Sequence, residues 1–391
     1  MPGCLEGVRI VELTTMITGP LAGQLLADLG ASVIKVESRE KGDPFRNYHG
    51  GLYSGHFIAY NRNKRSLTLD LRSDRGKEIV LALLKRADVL IDNFRPGVLD
   101  RLGLSAATLS AANPRLICAS ITGFGDDGPY RDRPSYDAVA QALSGVLSQF
   151  VDPQAPQPSG PTLADNISGQ YLAYGILAAL FERERTGKAR RVTTNMLEAT
   201  MAFAPDAFII HKRLGIDIGP LSRVGTSQSY AFRCADGGLI AIHLSNQPKF
   251  WEGLIAAVER PDIPADPRFA DRENRIRNYR ELAAELAKAF ATQPRAVWEE
   301  RLEREDVPYA PVLKAGEVFD DPQVRHRGSF LRLEHPQEGE MFVVAPPLLF
   351  DGARPGPIVS PPAVGEHSEE ILRELGLGGE DIAQLRRDKV I

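Results

Sequence analysis

Apolar residues gather in short dense runs through the first 125 positions, and stretches of helical spacing separate them. VRIVEL (8–13), SVIKVE (32–37), SLTLDL (66–71), DVLIDNF (88–94) and RLICASI (115–121) are rich in Val, Ile and Leu. Runs of this kind predict strands buried on both faces. Between them lie PLAGQLLADLG (20–30), with Pro20 early and Gly30 at the stop, and DRGKEIVLALLKRA (74–87), with Ser73 placed to cap it. Strand–helix–strand units of this length predict an α/β fold with a parallel sheet and helices on its faces. Such sheets bind ligands beyond the carboxyl ends of their strands. Here those ends are TTMITG (14–19), ESREKGDPFR (37–46) and NFRPG (93–97). The first loop has no GxGxxG, which argues against an ordinary dinucleotide site.

The second half has a different pattern. A long helix is predicted from about Asp165 to Thr186, with Gly187 as its stop. Pro205, Gly215, Gly219, Pro220 and Gly225 mark 203–225 as a linker. SYAFRCADGGLIAIHL (229–244) predicts a hairpin turning at Asp236-Gly237-Gly238. PKFWEGLIAAV (248–258) and the stretch 279–305 predict helices, so 226–330 reads as a small α+β domain. The segment 331–391 contains the Pro-rich APPLLFDGARPGP and a charged helix, HSEEILRELG.

The 391 residues suffice for about two domains. A net charge of −4 offers no global attraction to nucleic acid or to an anionic membrane. Three cysteines without a CxxC fit a reducing compartment. The histidines at 49, 56, 211, 243, 326, 335 and 367 form no metal-binding spacing, and no metal is expected. GxSxG and P-loop signatures are also missing. The N-terminus has no signal-peptide pattern and no run approaches a membrane span, so the cytoplasm is the expected location.

Four acids stand at strand ends or helix starts: Glu37, Asp92, Asp137 and Asp165. Glu37 is placed to meet a ribose hydroxyl or to be a solvated strand end. Asp92 reads as alternating outward. Asp137 and Asp165 read as helix caps, the usual role of Asp before a helix. Asp165 also has a chemical reading. A helix N-terminus favours the ionised carboxylate, which can attack an activated carbonyl without a base. Gly160 and Gly169 beside it leave room for a ligand. The basic stretch NRNKRSLTLDLR (61–72) carries Arg62, Lys64, Arg65 and Arg72, and Arg95 and Arg101 flank PGVLD. These charges form either a solvated face or a phosphate cradle.

The order of motifs resembles the class III CoA-transferase family, which includes α-methylacyl-CoA racemases. The motifs are GVRIVELTTMITGPLAGQLLADLGASVIKVES, GDPFR, NRNKRSLTLDLRSDRGKEIVLALLKRADVLIDNFRPGVLDRLGL, ITGFGDDGPYRDRPSYDAVAQALSGVLS and ADNISGQYLAYGILAALFERERTGKARRVTTNMLEA. The resemblance implies a large domain, 1–202, with a Rossmann-like sheet that 331–391 returns to complete. It also implies an interlocked, ring-like homodimer.

The implied nucleophile is Asp165, which would pass through aspartyl anhydride and aspartyl-CoA thioester intermediates. The implied CoA contacts are Thr15, Met16, Ile17, Leu69, Arg72, Asn93, Phe94, Arg101, Leu102, Tyr136 and Met196. Ser38 stands where the family has an arginine after VIKxE, and Arg39 follows it. Formyl-CoA transferases have a glutamine in place of Ile17 and a run of glycines in the small domain. This chain has neither, so formate–oxalate exchange is not expected. Racemases of the family place a histidine where this chain has Tyr136. A phenol titrates near 10 and is a poor neutral-pH base, which favours transfer over racemisation. A CoA-binding protein without turnover is a third reading, disfavoured by Asp165. The expected partners are acyl-CoA, small carboxylic acids and a second copy of the chain. Arg46, Tyr48 and Arg65 are candidates for the second carboxylate of a diacid.

Overall fold

The structure, a computed structural model, describes residues 3–48, 54–335 and 338–391. His49 lies outside them. The chain divides into two compact units, one of residues 1–147, 160–205 and 327–391, the other of 148–159 and 206–326.

The first unit is built on six parallel strands: β1 (Arg9–Leu13), β2 (Ser32–Glu37), β3 (Lys64–Thr68), β4 (Val89–Asp92), β5 (Ile117–Thr122) and β6 (Arg191–Asn195). Their order is β3-β2-β1-β4-β5-β6, so β1 and β4 are neighbours and the chain reverses its direction of travel across the sheet between them. Alternate residues of the inner strands feed two cores. Ile10, Val33, Val89, Ile91, Ile117 and Ala119 meet Leu26 of the helix Thr18–Asp28 and Leu172 and Ile176 of the helix Leu163–Thr186. Val11, Leu13, Val36, Leu67 and Leu90 meet the helix Asp74–Leu84 and the C-terminal helices Ser368–Glu374 and Gly379–Arg387. A strand buried on both faces is apolar at most positions, and the period-two signal is lost. That is why these strands read as solid runs.

The predicted third strand begins two residues earlier than expected and ends at Thr68, with Leu69 and Asp70 bonding to Glu37 and Val390 instead. Ser73 caps its helix as predicted, its Oγ accepting from Gly76 N–H at 3.0 Å. β6 was not predicted; it is an edge strand and only one of its five residues is buried. The C-terminal segment also carries an unexpected hairpin, β10 (Phe330–His335) and β11 (Gly339–Val344).

The second unit has an antiparallel sheet of β7 (Ser229–Arg233), β8 (Leu239–His243) and β9 (Tyr309–Pro311). The hairpin turns where Asp-Gly-Gly predicted, with Gly237 at φ 82°. Phe232, Ile240 and Ile242 pack on Leu254, Leu286, Phe290 and Trp298. The stretch 279–305 is two helices rather than one, Tyr279–Phe290 and Arg295–Arg304, because Pro294 cannot continue the first. The stretch 203–225 carries the helix Asp206–Leu214 and the start of Ser222–Ser227. Among the described residues no helix is long and apolar enough to cross a membrane.

Candidate active site

Asp165 is the third residue of the helix Leu163–Thr186, not its cap; the cap position is Thr162. This corrects the expectation of a capping role. Asn166 ties back to Thr162, its Nδ2 donating to the carbonyl at 2.6 Å and to Oγ1 at 3.0 Å. The Asp165 backbone N–H donates to Asp137 Oδ1 at 3.2 Å. Asp137 is likewise inside its helix, Asp137–Leu143, with its other oxygen accepting from Gln141 Nε2 at 2.6 Å. The Asp165 carboxylate itself receives no hydrogen bond from the described residues. Burial, and then the Asp137 charge beside it, push its carboxyl up to about 7. The expectation that the helix terminus would hold it firmly ionised is therefore reversed. Desolvation and a like charge outweigh a partial dipole charge that no direct hydrogen bond reinforces.

Asp165 lines a cavity of about 390 Å³ beyond the carboxyl ends of the strands. Thr15, Met16, Ile17, Asn93, Phe94, Tyr136 and Met196 line it too. A second cavity of about 630 Å³ includes Arg39, Leu69, Arg72 and Leu102, and shares Thr15, Phe94 and Val98 with the first. The two spaces therefore adjoin across the reversal between β1 and β4. Of the CoA contacts implied by the resemblance, only Arg101 lines neither; it is the exposed last residue of the helix Val98–Arg101.

The loop after β1 is held at each residue. Lys35 Nζ donates to the Thr14 carbonyl at 2.9 Å. Asn93 accepts from Thr15 N–H at 3.1 Å and donates to its carbonyl at 2.8 Å. Met16 N–H donates to Asp43 Oδ1 at 3.2 Å. Met16 has φ 69°, a left-handed conformation that costs a non-glycine residue about 1–2 kcal/mol. Below the loop lies a buried charge network in which Glu12 pairs with Lys35 at 3.1 Å and Lys64 at 2.9 Å, and Lys35 pairs with Asp43 at 2.9 Å. Burial alone would lower the Lys35 ammonium, but Asp43 and Glu12 raise it. Burial pushes Lys64 down to about 8. Such pairs fix geometry more than they add stability.

Several sequence expectations do not hold. Glu37 is buried and saturated: Arg46 binds it twice at 2.7 Å, Ser66 Oγ donates at 2.6 Å and Asp43 N–H at 2.9 Å. It has no lone pair left for a ribose. Arg46 is committed to that pair, and Arg65 to Glu370 and Glu374 at 3.0 and 2.8 Å, so neither is a receptor for a substrate carboxylate. Arg62 binds Asp28 at 2.6 Å. Of the basic residues in that stretch, only Arg72 lines either cavity. Asp92 does not face outward; it is 4% exposed, accepts from Ser120 Oγ and from Phe94 N–H, and burial pushes it up to about 6. Gly169 leaves no room for a ligand, because a Cβ there would lie 2.6 Å from the Thr18 carbonyl oxygen. It lets two helices touch. Gly169→Val is accordingly expected to lower unfolding free energy by about 2–3 kcal/mol, read from the urea midpoint.

Sequence reasoning missed Asp43, Lys35, Arg131, Arg133 and Ser135, the last three of which line the Asp165 cavity. The Asp-Pro of GDPFR was a usable signal for Asp43, whose side chain accepts from Phe45 N–H at 2.9 Å as a turn cap.

The family model for CoA-transferase family III matches residues 5–368. The chain belongs to that family. Its enzyme type is that of the class III CoA-transferases, a family that takes CoA or acyl-CoA as substrate. A formyl-CoA:oxalate CoA-transferase of Streptomyces avermitilis is 35% identical over 417 residues, covering 100% of each chain. An acetyl-CoA:oxalate CoA-transferase of Acetobacter aceti is 35% identical over 339 residues, 84% of this chain and 86% of that one. The crystal structure of a CAIB/BAIF family protein from Brucella suis superposes with a TM-score of 0.86 at 32% identity, over 96% of this chain and 100% of that one.

Proposed function

We propose that this family III enzyme moves CoA from an acyl-CoA donor to a small carboxylic acid through covalent intermediates on Asp165. The observation that carries the proposal is a carboxylate that receives no hydrogen bond from the described residues, standing in a cavity that adjoins a larger one at the strand ends. Such a group is poorly solvated and nucleophilic once ionised.

An Asp165 oxygen bonds to the thioester carbonyl carbon, the C–S bond breaks, and CoA leaves as the thiolate. The thiolate then attacks the Asp165 acyl carbon of this anhydride. A C–S bond forms, a C–O bond breaks, and the donor acid departs as carboxylate. An acceptor carboxylate attacks the aspartyl thioester and expels the thiolate again. The thiolate finally attacks the acceptor carbonyl, releasing acyl-CoA and the Asp165 carboxylate. No proton is gained or lost, and the thioester's activation passes through each step.

Larger roles follow for the neighbouring residues. Thr15, Met16, Ile17, Asn93, Phe94 and Met196 would guide the pantetheine arm to Asp165. Arg39 and Arg72 stand where the charged end of CoA would lie, Arg39 beside its surface partner Glu40 at 3.2 Å. Arg101 belongs to the CoA site only if the ligand extends past the two cavities. Tyr136, 70% exposed, lines the Asp165 cavity where a racemase would need its second base.

The relatives that act on oxalate make it the first acceptor to test, with formyl-CoA and acetyl-CoA as donors. Ile17 in place of a glutamine predicts that formyl-CoA is the poorer donor. The same reading has two copies interlocked. Tyr174, Phe181 and Phe203, exposed at 70%, 67% and 55%, are apolar surface for a second copy to cover.

The pH dependence tests the nucleophile. Only ionised Asp165 attacks, so kcat/KM should fall about tenfold per pH unit below about 7. A profile that stays flat down to pH 5 would contradict the assignment.

A further inference from the structure

We infer that Asp43 is a positioning residue, which sets the shape of the CoA-facing loop by holding Met16 in its left-handed conformation. The inference rests on reading the loop 14–17 as part of the CoA site.

An L-residue stays at a φ of 69° only when its surroundings impose it. Met16 has two such constraints. Its N–H donates to Asp43 Oδ1, and its side chain packs with Ile17, Phe45 and Phe57. Asp43 cannot yield. It is 1% exposed, its Oδ1 also accepts from Phe45 N–H, and its Oδ2 pairs with the fully buried Lys35 at 2.9 Å. Lys35 in turn grips the Thr14 carbonyl. One buried ion pair therefore fixes the loop at residues 14 and 16, while Asn93 fixes residue 15 from the end of β4. The three anchors converge on a loop whose residues Thr15, Met16 and Ile17 line the Asp165 cavity. The Asp43 carboxylate is too buried to meet a ligand, so it acts through Met16.

Loosening this grip should weaken CoA binding and spare the chemical step, because Asp165 stands on a different helix. In the full-length protein, Asp43→Asn must turn its amide NH₂ either toward the Lys35 ammonium or toward the Met16 and Phe45 N–H groups. We expect it to raise the Kd for CoA about tenfold, measured by titration calorimetry, with a matching rise in the acyl-CoA KM and kcat within about threefold. The distinguishing comparison uses a Met16→Gly background. Glycine takes the left-handed φ without strain, so Asp43→Asn should there cost less than about threefold relative to Met16→Gly alone.

An equal cost in both backgrounds would show that Asp43 merely satisfies the core, and would overturn the inference. A Kd for Asp43→Asn equal to that of the unaltered protein would overturn it as well. If Asp43→Asn does not fold, Lys35→Met/Asp43→Ala removes both buried charges of the pair together with the acceptor for Met16 N–H, and the same comparison is read on it. Direct titration also separates this inference from the CoA-site reading: an unaltered protein that does not bind CoA refutes that reading, not the coupling between Asp43 and Met16.

Discussion

Asp165→Ala is expected to lower kcat for CoA transfer by at least about 10³-fold while changing CoA affinity by less than about threefold. Removing a covalent nucleophile abolishes the route, whereas a group that only positions substrate leaves a measurable residue of rate. The variant is also structurally clean. The Asp165 carboxylate accepts no hydrogen bond from the described residues, so its loss orphans no donor. Its backbone N–H keeps its bond to Asp137. Asp137 is not placed to substitute as the nucleophile, because it lines neither cavity. Steady-state kinetics and CoA titration on the same preparation check both halves. A kcat above about one per cent of the unaltered enzyme would refute the covalent role.

Asp165→Asn should make the protein more stable at pH 8, by about 2–4 kcal/mol. The sign is opposite to that of a salt-bridged aspartate. Here the folded-state pKa is raised, from 3.8 to about 7, so between those values the unfolded chain has released a proton that the folded chain still holds. Stability falls as pH rises through that window, and above about 7 the folded protein carries the full cost of a desolvated carboxylate beside Asp137. The amide removes that cost. Urea unfolding at pH 8 and at pH 4 should show a large gain at the first and less than about 1 kcal/mol at the second. Equal unfolding free energies at pH 8 would mean that Asp165 is not destabilised by its site.

The two predictions concern one residue, and they show how far the sequence could be read. The position of Asp165 was legible, because its surrounding motifs occur in a characteristic order. Its environment was not: the neighbour that most affects its charge, Asp137, lies 28 residues away along the chain. The five strands with apolar runs were legible because burial on both faces leaves little ambiguity. β6 was not, since Arg191–Asn195 is an edge strand with two polar threonines.

The charges of the first unit were misread most systematically. Arg62, Lys64 and Arg65 looked like a solvated face or a phosphate cradle, yet all three are in ion pairs, two of them buried. Their partners Asp28, Glu12 and Glu370 come from distant parts of the sequence. No local pattern distinguishes a buried lysine with a distant carboxylate from a solvated one. Lys64 belongs to the buried network that supports the loop after β1, so the part of the site hardest to read was its support.

The most direct test of the account is chemical trapping. The protein is incubated with acyl-CoA in the presence of hydroxylamine, digested, and its peptides examined by mass spectrometry. The account predicts a hydroxamate confined to the peptide containing Asp165, formed only when acyl-CoA is present and missing from Asp165→Ala. An Asp165 peptide that stays unmodified while the enzyme transfers CoA would contradict it.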